Sequence, residues 1–187
     1  MRILVISHTR CGSTVLCKWI SKELNIDLDE SPYDRKTFDS IFINTRVIKK
    51  IVVEEYVPSK EIIDRFDRVV CLSRENSTDS AISFISANRS NLWHTEYEVS
   101  SDWIENNRDK IIETSYRYDH LKNYYSKNKN AFQVTYENIF INKDDVNRLV
   151  KYLDIKNPEH LDMLDYNNRY RKDTNALMYD FKRRNII

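Results

Sequence analysis

Glycine, proline and cysteine are scarce in this chain of 187 residues, which contains one, three and three of them. Three cysteines cannot all pair within one chain, and none lies in a short-spaced metal or redox motif, so we expect a reduced, cytoplasmic protein. No apolar run approaches the roughly 18 residues of a membrane span, and the run at the N-terminus is too short for a secretory signal. The single glycine, Gly12, is informative because the chain uses this residue nowhere else.

Charge of one sign is not in excess either, since 30 Lys and Arg residues face 29 Asp and Glu residues and leave a net charge of +1. Binders of nucleic acid concentrate positive charge, so nucleic acid is not an expected partner, and any bound anion must be held by local groups. The apolar share of 41% and the charged share of 32% exclude a disordered or fibrous chain. The length predicts one domain over residues 1–187.

Short β-branched apolar runs alternate along the chain with segments of helical periodicity. We predict strands over four runs: Arg2–Ser7, Val47–Val53, Arg68–Ser73 and Phe132–Tyr136. We predict helices over six segments: Val15–Leu24, Thr37–Ile43, Ser59–Phe66, Asn76–Ser90, Ser101–Lys127 and Asp144–Leu153. The rest of residues 25–45 is predicted to be loop. This alternation indicates an α/β fold, with a mainly parallel sheet of about four to five strands and helices on both faces.

Ligands of such sheets bind beyond the carboxyl ends of the strands. Four segments follow the predicted strands at that edge: 8–14, 54–56, 74–83 and 136–138. We therefore expect the functional residues in one crevice that these segments form.

The segment after the first strand has the composition of an anion-binding loop. It leads into a helix, whose first N–H groups and positive dipole end attract anions. Its members provide a fixed charge, a close backbone approach and two hydroxyl donors: Arg10, Cys11, Gly12, Ser13 and Thr14. The lysine of nucleoside-triphosphate loops is missing, and Cys11 lacks the arginine that follows a phosphatase nucleophile, because Cys17 occupies that position. The alternative is a turn and helix cap without a ligand.

A second anion-binding element follows the third predicted strand. Arg74 stands at the end of that strand, and Ser83 lies nine positions further on, inside the next helix. An arginine and a hydroxyl in this arrangement can hold a second phosphate. The alternative is a surface arginine that pairs with Glu75 or Asp79.

Together, these segments resemble the sulfotransferases that use 3′-phosphoadenosine 5′-phosphosulfate (PAPS). Residues 10–16 resemble the family's 5′-phosphosulfate loop, and residues 70–84 its 3′-phosphate element, a strand that ends in Arg before a helix that carries Ser. Residues 134–139 resemble its late Tyr-Glu-Asp-Leu segment, with Asn138 in place of Asp, and Cys11 replaces the usual small Ser of the loop. Residues 81–94 are similar to the bacterial carbohydrate branch, typified by trehalose and nodulation-factor sulfotransferases.

The resemblance implies a single-domain, P-loop-like three-layer fold and an enzyme that moves a sulfuryl group from PAPS to an acceptor hydroxyl, on a carbohydrate or another small molecule, without a metal. It assigns residues 10–14 to the 5′-phosphosulfate, and Arg74 with Ser83 to the 3′-phosphate. It also assigns nucleotide contacts to three further residues: Tyr136 and, in a basic tail over residues 165–187, Arg171 and Lys172. The product of the donor is adenosine 3′,5′-bisphosphate.

The resemblance further implies a carboxylate base for the acceptor hydroxyl. Glu30 follows Arg10 by twenty positions, as the catalytic Glu does in tyrosyl-protein and bacterial carbohydrate sulfotransferases. Glu54 and Glu55 are the rivals, because a catalytic His ends the corresponding strand in the aryl branch. For each carboxylate, the alternative is an ordinary solvated side chain.

Two other functions stay open at the level of sequence. A divergent P-loop nucleotide kinase shares the strand, loop and helix, although the missing lysine speaks against it. A nucleotide-binding module without catalysis shares the whole crevice. Residues 31–46 and 88–130 are expected to shape the acceptor pocket, and they carry no readable specificity pattern.

Overall fold

The computed structural model of the chain describes residues 1–30, 45–52, 58–90, 99–127, 130–156 and 158. Five strands form one sheet: β1 Arg2–Ser7, β2 Asp27–Asp29, β3 Val47–Val52, β4 Arg68–Ser73 and β5 Ala131–Thr135. Their order is β2-β3-β1-β4-β5, and every neighbouring pair is parallel. The predicted parallel α/β sheet is therefore confirmed.

The helices connect these strands in the manner that the periodicity predicted. Within the described ranges, six are α-helical: α1 Ser13–Leu24, α2 Lys60–Ile63, α3 Ser77–Ser90, α4 Ser101–Asn106, α5 Arg108–Ser126 and α6 Val146–Tyr152. A π-helix over Glu137–Ile141 follows β5 directly. No helix in the described ranges combines the length and the apolar character that a membrane crossing requires.

Two predictions about local structure were wrong. Residues 27–29 lie in the segment predicted to be loop, but they form the edge strand β2, which pairs with β3. Two of these three residues are aspartates, so no apolar run signals a strand, and the pairing is a tertiary effect. The predicted helix over 101–127 is interrupted at Asn107, whose amide Nδ2 donates to the carbonyl oxygen of Trp103 over 2.7 Å. The predicted helix over 37–43 lies outside the described residues.

Apolar side chains cover the sheet on both faces, because successive residues of each strand point to opposite sides. On one face, the strands pack against α1 and α6 through a cluster that includes Ile3, Val5, Trp19, Ile48, Val70 and Leu149. On the other face, they pack against α3 and α5 through a cluster that includes Leu4, Ile6, Ile51, Ile82, Ile111 and Tyr118. This arrangement matches the predicted three layers.

The position of β1 in the sheet determines where the crevice lies. β3 pairs with one side of β1 and β4 with the other, so the chain reverses its direction of winding beside β1. Connections that leave two adjacent strands in opposite directions open a crevice at the carboxyl ends of those strands. The loop after β1 stands in this crevice.

Candidate functional site

The loop after β1 leads into α1 and leaves the N-terminus of this helix, the positive end of its dipole, without a side-chain cap. Arg10 and Gly12 both adopt left-handed backbone conformations, with φ of 65° and 78°. Gly12 is the N-cap of α1, no side chain caps the helix, and its first turn contains no acidic residue. A helix start without an internal acceptor or a negative charge favours an anion at that end.

Gly12 is required by packing as well as by conformation. A Cβ atom at this position would lie 2.9 Å from Cε2 and 3.2 Å from Cζ of Phe140, and 3.3 Å from Cδ2 of Tyr136. The π-helix and the residue before it therefore press their aromatic rings against the loop. The sequence singled out this glycine, but the rings that require it come from a segment far along the chain.

We expect Gly12→Ala to destabilise the protein by about 2 to 4 kcal/mol, because the left-handed conformation and the aromatic contact both oppose a methyl group. Urea unfolding measures the loss. The double variant Gly12→Ala with Phe140→Leu should cost less than the sum of the two single changes, since the leucine makes room for the methyl group. Additive losses would show that the contact is not responsible.

Arg10 links the loop to the helix that follows β4. Its Nε donates to Oγ of Ser83 over 2.9 Å, although 73 positions separate the two residues. The residues assigned to the two ends of the donor thus meet directly. Ser83 lies in α3 and Arg10 in the β1 loop, so one hydrogen bond joins the two predicted anion-binding elements.

Arg74 stands at the end of β4 and stacks on an aromatic ring. Its guanidinium carbon lies 4.3 Å from the centre of the Tyr136 ring. Its Nε is buried and has no hydrogen-bond partner among the described residues. Glu75, one of the two alternative partners, accepts a hydrogen bond from Thr135 through Oε1 over 3.3 Å. The guanidinium therefore keeps a donor for a ligand.

Glu30 and Thr14 are brought together by a lysine that the sequence analysis missed. Lys50, near the end of β3, donates from Nζ to Glu30 Oε1 over 2.7 Å and to Thr14 Oγ1 over 3.0 Å. Its neighbour Lys49 is almost fully buried and forms an ion pair with Asp29 over 3.1 Å. Two lysines inside the apolar strand β3 are the signal that could have revealed this site, because a charge is rarely buried without a function or a partner.

His8 supports the loop from inside and is not placed to exchange protons with a ligand. Its ring stacks on Tyr118 with 4.2 Å between the centroids, and Cys11 Sγ lies 3.1 Å from both ring nitrogens. Burial lowers the pKa of His8 from 6.5 to about 4, so the imidazole is neutral at physiological pH. Cys11 is fully buried.

The shifted pKa of His8 predicts a loss of stability in acid. The unfolded chain binds a proton at His8 below about pH 6.5 and the folded chain only below about pH 4, so stability falls as the pH is lowered through this interval. The loss attributable to His8 reaches about 2 to 3 kcal/mol near pH 4.5. Asp79, with a pKa raised to about 6, acts in the opposite sense over an overlapping range.

The contribution of His8 is therefore measured as a difference between two proteins. His8→Phe keeps a ring against Tyr118 and removes the titration. Urea unfolding at pH 7 and pH 4.5 should show that the variant loses about 2 to 3 kcal/mol less than the unmodified protein. Equal losses of stability in the two proteins between pH 7 and pH 4.5 would mean that His8 is also protonated in the folded protein over this interval.

Some predicted site residues cannot be compared with the structure. Glu54, Glu55, Arg171 and Lys172 lie outside the described residues. Within the described ranges, no group of three or more His, Cys, Asp or Glu side chains is arranged to hold a metal ion. The described site thus combines an uncapped helix start with the cationic side chains of Arg10, Lys50 and Arg74 and the carboxylate of Glu30.

Known proteins resemble this chain in structure only. No protein-family model matches the sequence, and no curated protein matches it significantly. Mouse sulfotransferase SULT7A1 complexed with PAP has a TM-score of 0.59 and 15% identity over 83% of this chain and 58% of its own. A sulfotransferase from Alicyclobacillus acidocaldarius has a TM-score of 0.57 and 12% identity over 97% of this chain and 91% of its own. Retinol dehydratase in complex with androsterone and inactive cofactor PAP has a TM-score of 0.53 and 15% identity over 87% of this chain and 62% of its own.

These similarities show that the chain has the α/β fold of the sulfotransferases. It spans 58% and 62% of the length of two of the three proteins and 91% of the bacterial one. The identities of 12% to 15% establish the fold and do not transfer individual residues.

Proposed function

We propose that the chain is a PAPS-dependent sulfotransferase, which transfers the sulfuryl group of PAPS to an acceptor hydroxyl. The observation that carries the proposal is the hydrogen bond between Arg10 and Ser83. It places the phosphate-type loop next to the second anion-binding element, so that one doubly phosphorylated nucleotide could contact both. The fold shared with a mouse sulfotransferase and a retinol dehydratase that were both solved with PAP supports the same function.

The described residues fit the two ends of such a donor. The start of α1, with Ser13 and Thr14, would hold the 5′-phosphosulfate together with Arg10, since N–H groups, hydroxyls and a guanidinium all donate to phosphate oxygens. Arg74 would hold the 3′-phosphate through its unpartnered Nε. PAPS would supply the electrophilic sulfur, and the protein would supply position and charge.

Glu30 and Lys50 would act on the acceptor side of the same loop. In an in-line displacement, the acceptor oxygen forms a bond to sulfur while the bond from sulfur to the 5′-phosphate oxygen breaks, and Glu30 accepts the hydroxyl proton. Lys50 lies beside both Glu30 and Thr14, so its ammonium would stabilise the negative charge that develops on the sulfuryl oxygens of a donor held by the loop. In this assignment, Lys50 of the neighbouring strand β3 takes the place of the lysine that is missing from the loop.

The proposal includes a carbohydrate hydroxyl as the acceptor, on the basis of the similarity of residues 81–94 to the bacterial carbohydrate branch. It also treats the chain as one domain that acts in the cytoplasm. All three cysteines are buried free thiols, which fits a reducing compartment. Burial raises the pKa of both Cys17 and Cys71 to about 12, so these thiols are unreactive at physiological pH.

Thermal unfolding with nucleotides tests the donor. Adenosine 3′,5′-bisphosphate should raise the melting temperature of the protein in the absence of metal, whereas AMP should raise it less. Stabilisation by Mg-ATP alone would favour a nucleotide kinase, and this comparison is needed because Lys50 does bring a lysine to the loop.

Transfer of labelled sulfate from PAPS tests the reaction. The acceptor panel should include glycans, phenols, peptides and a hydroxysteroid such as androsterone, the compound bound in retinol dehydratase. Transfer to glycans is the expected result. Binding of the bisphosphate without transfer to any acceptor would indicate a nucleotide-binding module.

A further inference from the structure

Asp79 belongs to the element over residues 70–84 that would hold the 3′-phosphate, and its environment is unusual for a carboxylate. It belongs to the first turn of α3, where its backbone N–H donates to Oδ1 of the capping residue Asn76 over 3.3 Å. Its own Oδ1 is buried and has no hydrogen-bond partner among the described residues. Arg74 Nε is buried and unpartnered in the same way. An acceptor and a donor are thus both left without partners at one edge of the sheet.

Charged groups from three other elements surround this part of the crevice. The charge of Arg74 at the end of β4 favours the ionised form of Asp79, and the charge of Glu137 in the π-helix opposes it. Glu137 also fixes the strand end, because its Oε2 accepts from the backbone N–H of Glu75 over 2.9 Å. From α5, Lys122 donates to the carbonyl oxygen of Arg74 over 3.4 Å, and Asp119 accepts from the hydroxyl of Ser77.

We propose that Asp79 is a specificity-determining residue whose carboxyl group must be protonated when a phosphate occupies the Arg74 subsite. The proposal rests on the proposed function, because it concerns the 3′-phosphate of the same donor. A neutral carboxyl donates a hydrogen bond to a phosphate oxygen, whereas an ionised one repels the phosphate dianion. Recognition of the doubly phosphorylated nucleotide is therefore coupled to the uptake of one proton.

The electrostatics of the free protein are consistent with this coupling. Burial raises the pKa of Asp79 from 3.8 to about 6, and Glu137 adds to the rise, while Arg74 and the hydrogen bond from Asn76 oppose it. The carboxyl group is ionised in the free protein at pH 7 to 8, and a dianion placed at Arg74 raises its pKa further. A proton is thus bound together with the nucleotide in this interval, and the affinity must fall as the pH rises.

Isothermal titration calorimetry with adenosine 3′,5′-bisphosphate measures both effects. Titrations in two buffers of different ionisation enthalpy, at pH 7.0, 7.5 and 8.0, give the number of protons bound with the nucleotide. Free phosphate monoesters are already dianionic in most of this interval, so their own titration contributes little. We expect uptake of more than half a proton and a rise in Kd of about threefold to tenfold per pH unit, the upper value being the one-proton limit.

AMP, which lacks the 3′-phosphate, separates this subsite from the 5′-phosphate loop. Its Kd should stay constant within about twofold over the same interval. Equal pH dependence for AMP and the bisphosphate would overturn the proposal, because the proton would then belong to the loop.

Asp79→Asn tests the residue itself and keeps the size of the side chain. The variant should bind the bisphosphate without proton uptake, with a Kd that is independent of pH and about 10- to 100-fold lower than that of the unmodified protein at pH 8. Glu61→Gln, which changes an exposed carboxylate of α2, is the matched control and should retain the pH dependence.

The outcomes distinguish this inference from the function on which it rests. Loss of bisphosphate binding in Asp79→Asn, with an unchanged melting temperature, would show that an ionised carboxylate is needed and would overturn the inference. A pH-independent Kd in the unmodified protein would do the same and would leave the sulfotransferase proposal intact. If the unmodified protein does not bind the bisphosphate at all, the proposed function fails first.

Discussion

Replacement of Glu30 by glutamine should lower the turnover of sulfuryl transfer by about 10²- to 10⁴-fold, the contribution expected from a general base. The Kd for adenosine 3′,5′-bisphosphate should change by less than about twofold, since Glu30 contacts Lys50 and has no assigned contact with the nucleotide. Glutamine retains an oxygen that accepts from Lys50 Nζ, so the variant removes the proton acceptor and keeps the geometry. Initial rates with saturating PAPS, together with calorimetry, separate the two effects.

Glu54→Gln and Glu55→Gln are the controls, because these two residues are the rival bases. Both variants should retain most of the activity. If one of them loses transfer and Glu30→Gln does not, the base belongs to the segment after β3. A parallel loss of nucleotide binding in Glu30→Gln would instead show that the Glu30–Lys50 pair supports the loop.

Arg74→Glu should weaken the binding of PAPS and of the bisphosphate by more than about 100-fold, because it removes charge-assisted hydrogen bonds to the 3′-phosphate and adds repulsion. Binding of adenosine 5′-phosphosulfate, which has no 3′-phosphate, should weaken by less than about fivefold. Calorimetry or competition with a fluorescent nucleotide provides the two affinities. The ratio of the two affinities measures how much the 3′-phosphate contributes to binding, apart from the rest of the donor.

Arg68→Glu is a matched control at the other end of the same strand. Arg68 donates from Nε to the carbonyl oxygen of Tyr152 and lies at the edge of the sheet away from the crevice. This variant should bind both nucleotides as the unmodified protein does. Equal losses for PAPS and adenosine 5′-phosphosulfate in Arg74→Glu would remove the role that we give to Arg74.

Local sequence patterns predicted the parts of the fold that depend on neighbouring residues. The run Arg2–Ser7 and the helical spacing of Val15–Leu24 identified β1 and α1, because a fully covered strand and an amphipathic helix each have their own periodicity. Strand β2 was not predicted, since its three residues become a strand only by pairing with β3. The break at Asn107 was not predicted either, because apolar periodicity continues through that position.

The candidate site also combines features that residue type predicts with contacts that only folding creates. The sequence singled out Gly12, Arg10, Arg74 and Ser83 from residue type and position, but contacts among them depend on chain segments that meet only in the folded protein. Lys50 is the clearest case, because β3 brings its ammonium to Glu30 and Thr14 across 20 and 36 positions of the chain. No local pattern encodes such a contact.

The amino-acid sequence alone determined four of the five described strands, the helix α1 with its anion-attracting start, and a net charge of +1 that is too small to attract polyanions, since these follow from local periodicity and composition. Only the tertiary structure decided which charges face each other at the sheet edge, because parallel strands align residues that are distant in sequence. The Arg10–Ser83 hydrogen bond, the Lys50–Glu30 ion pair and the ring of Phe140 against Gly12 all depend on that alignment.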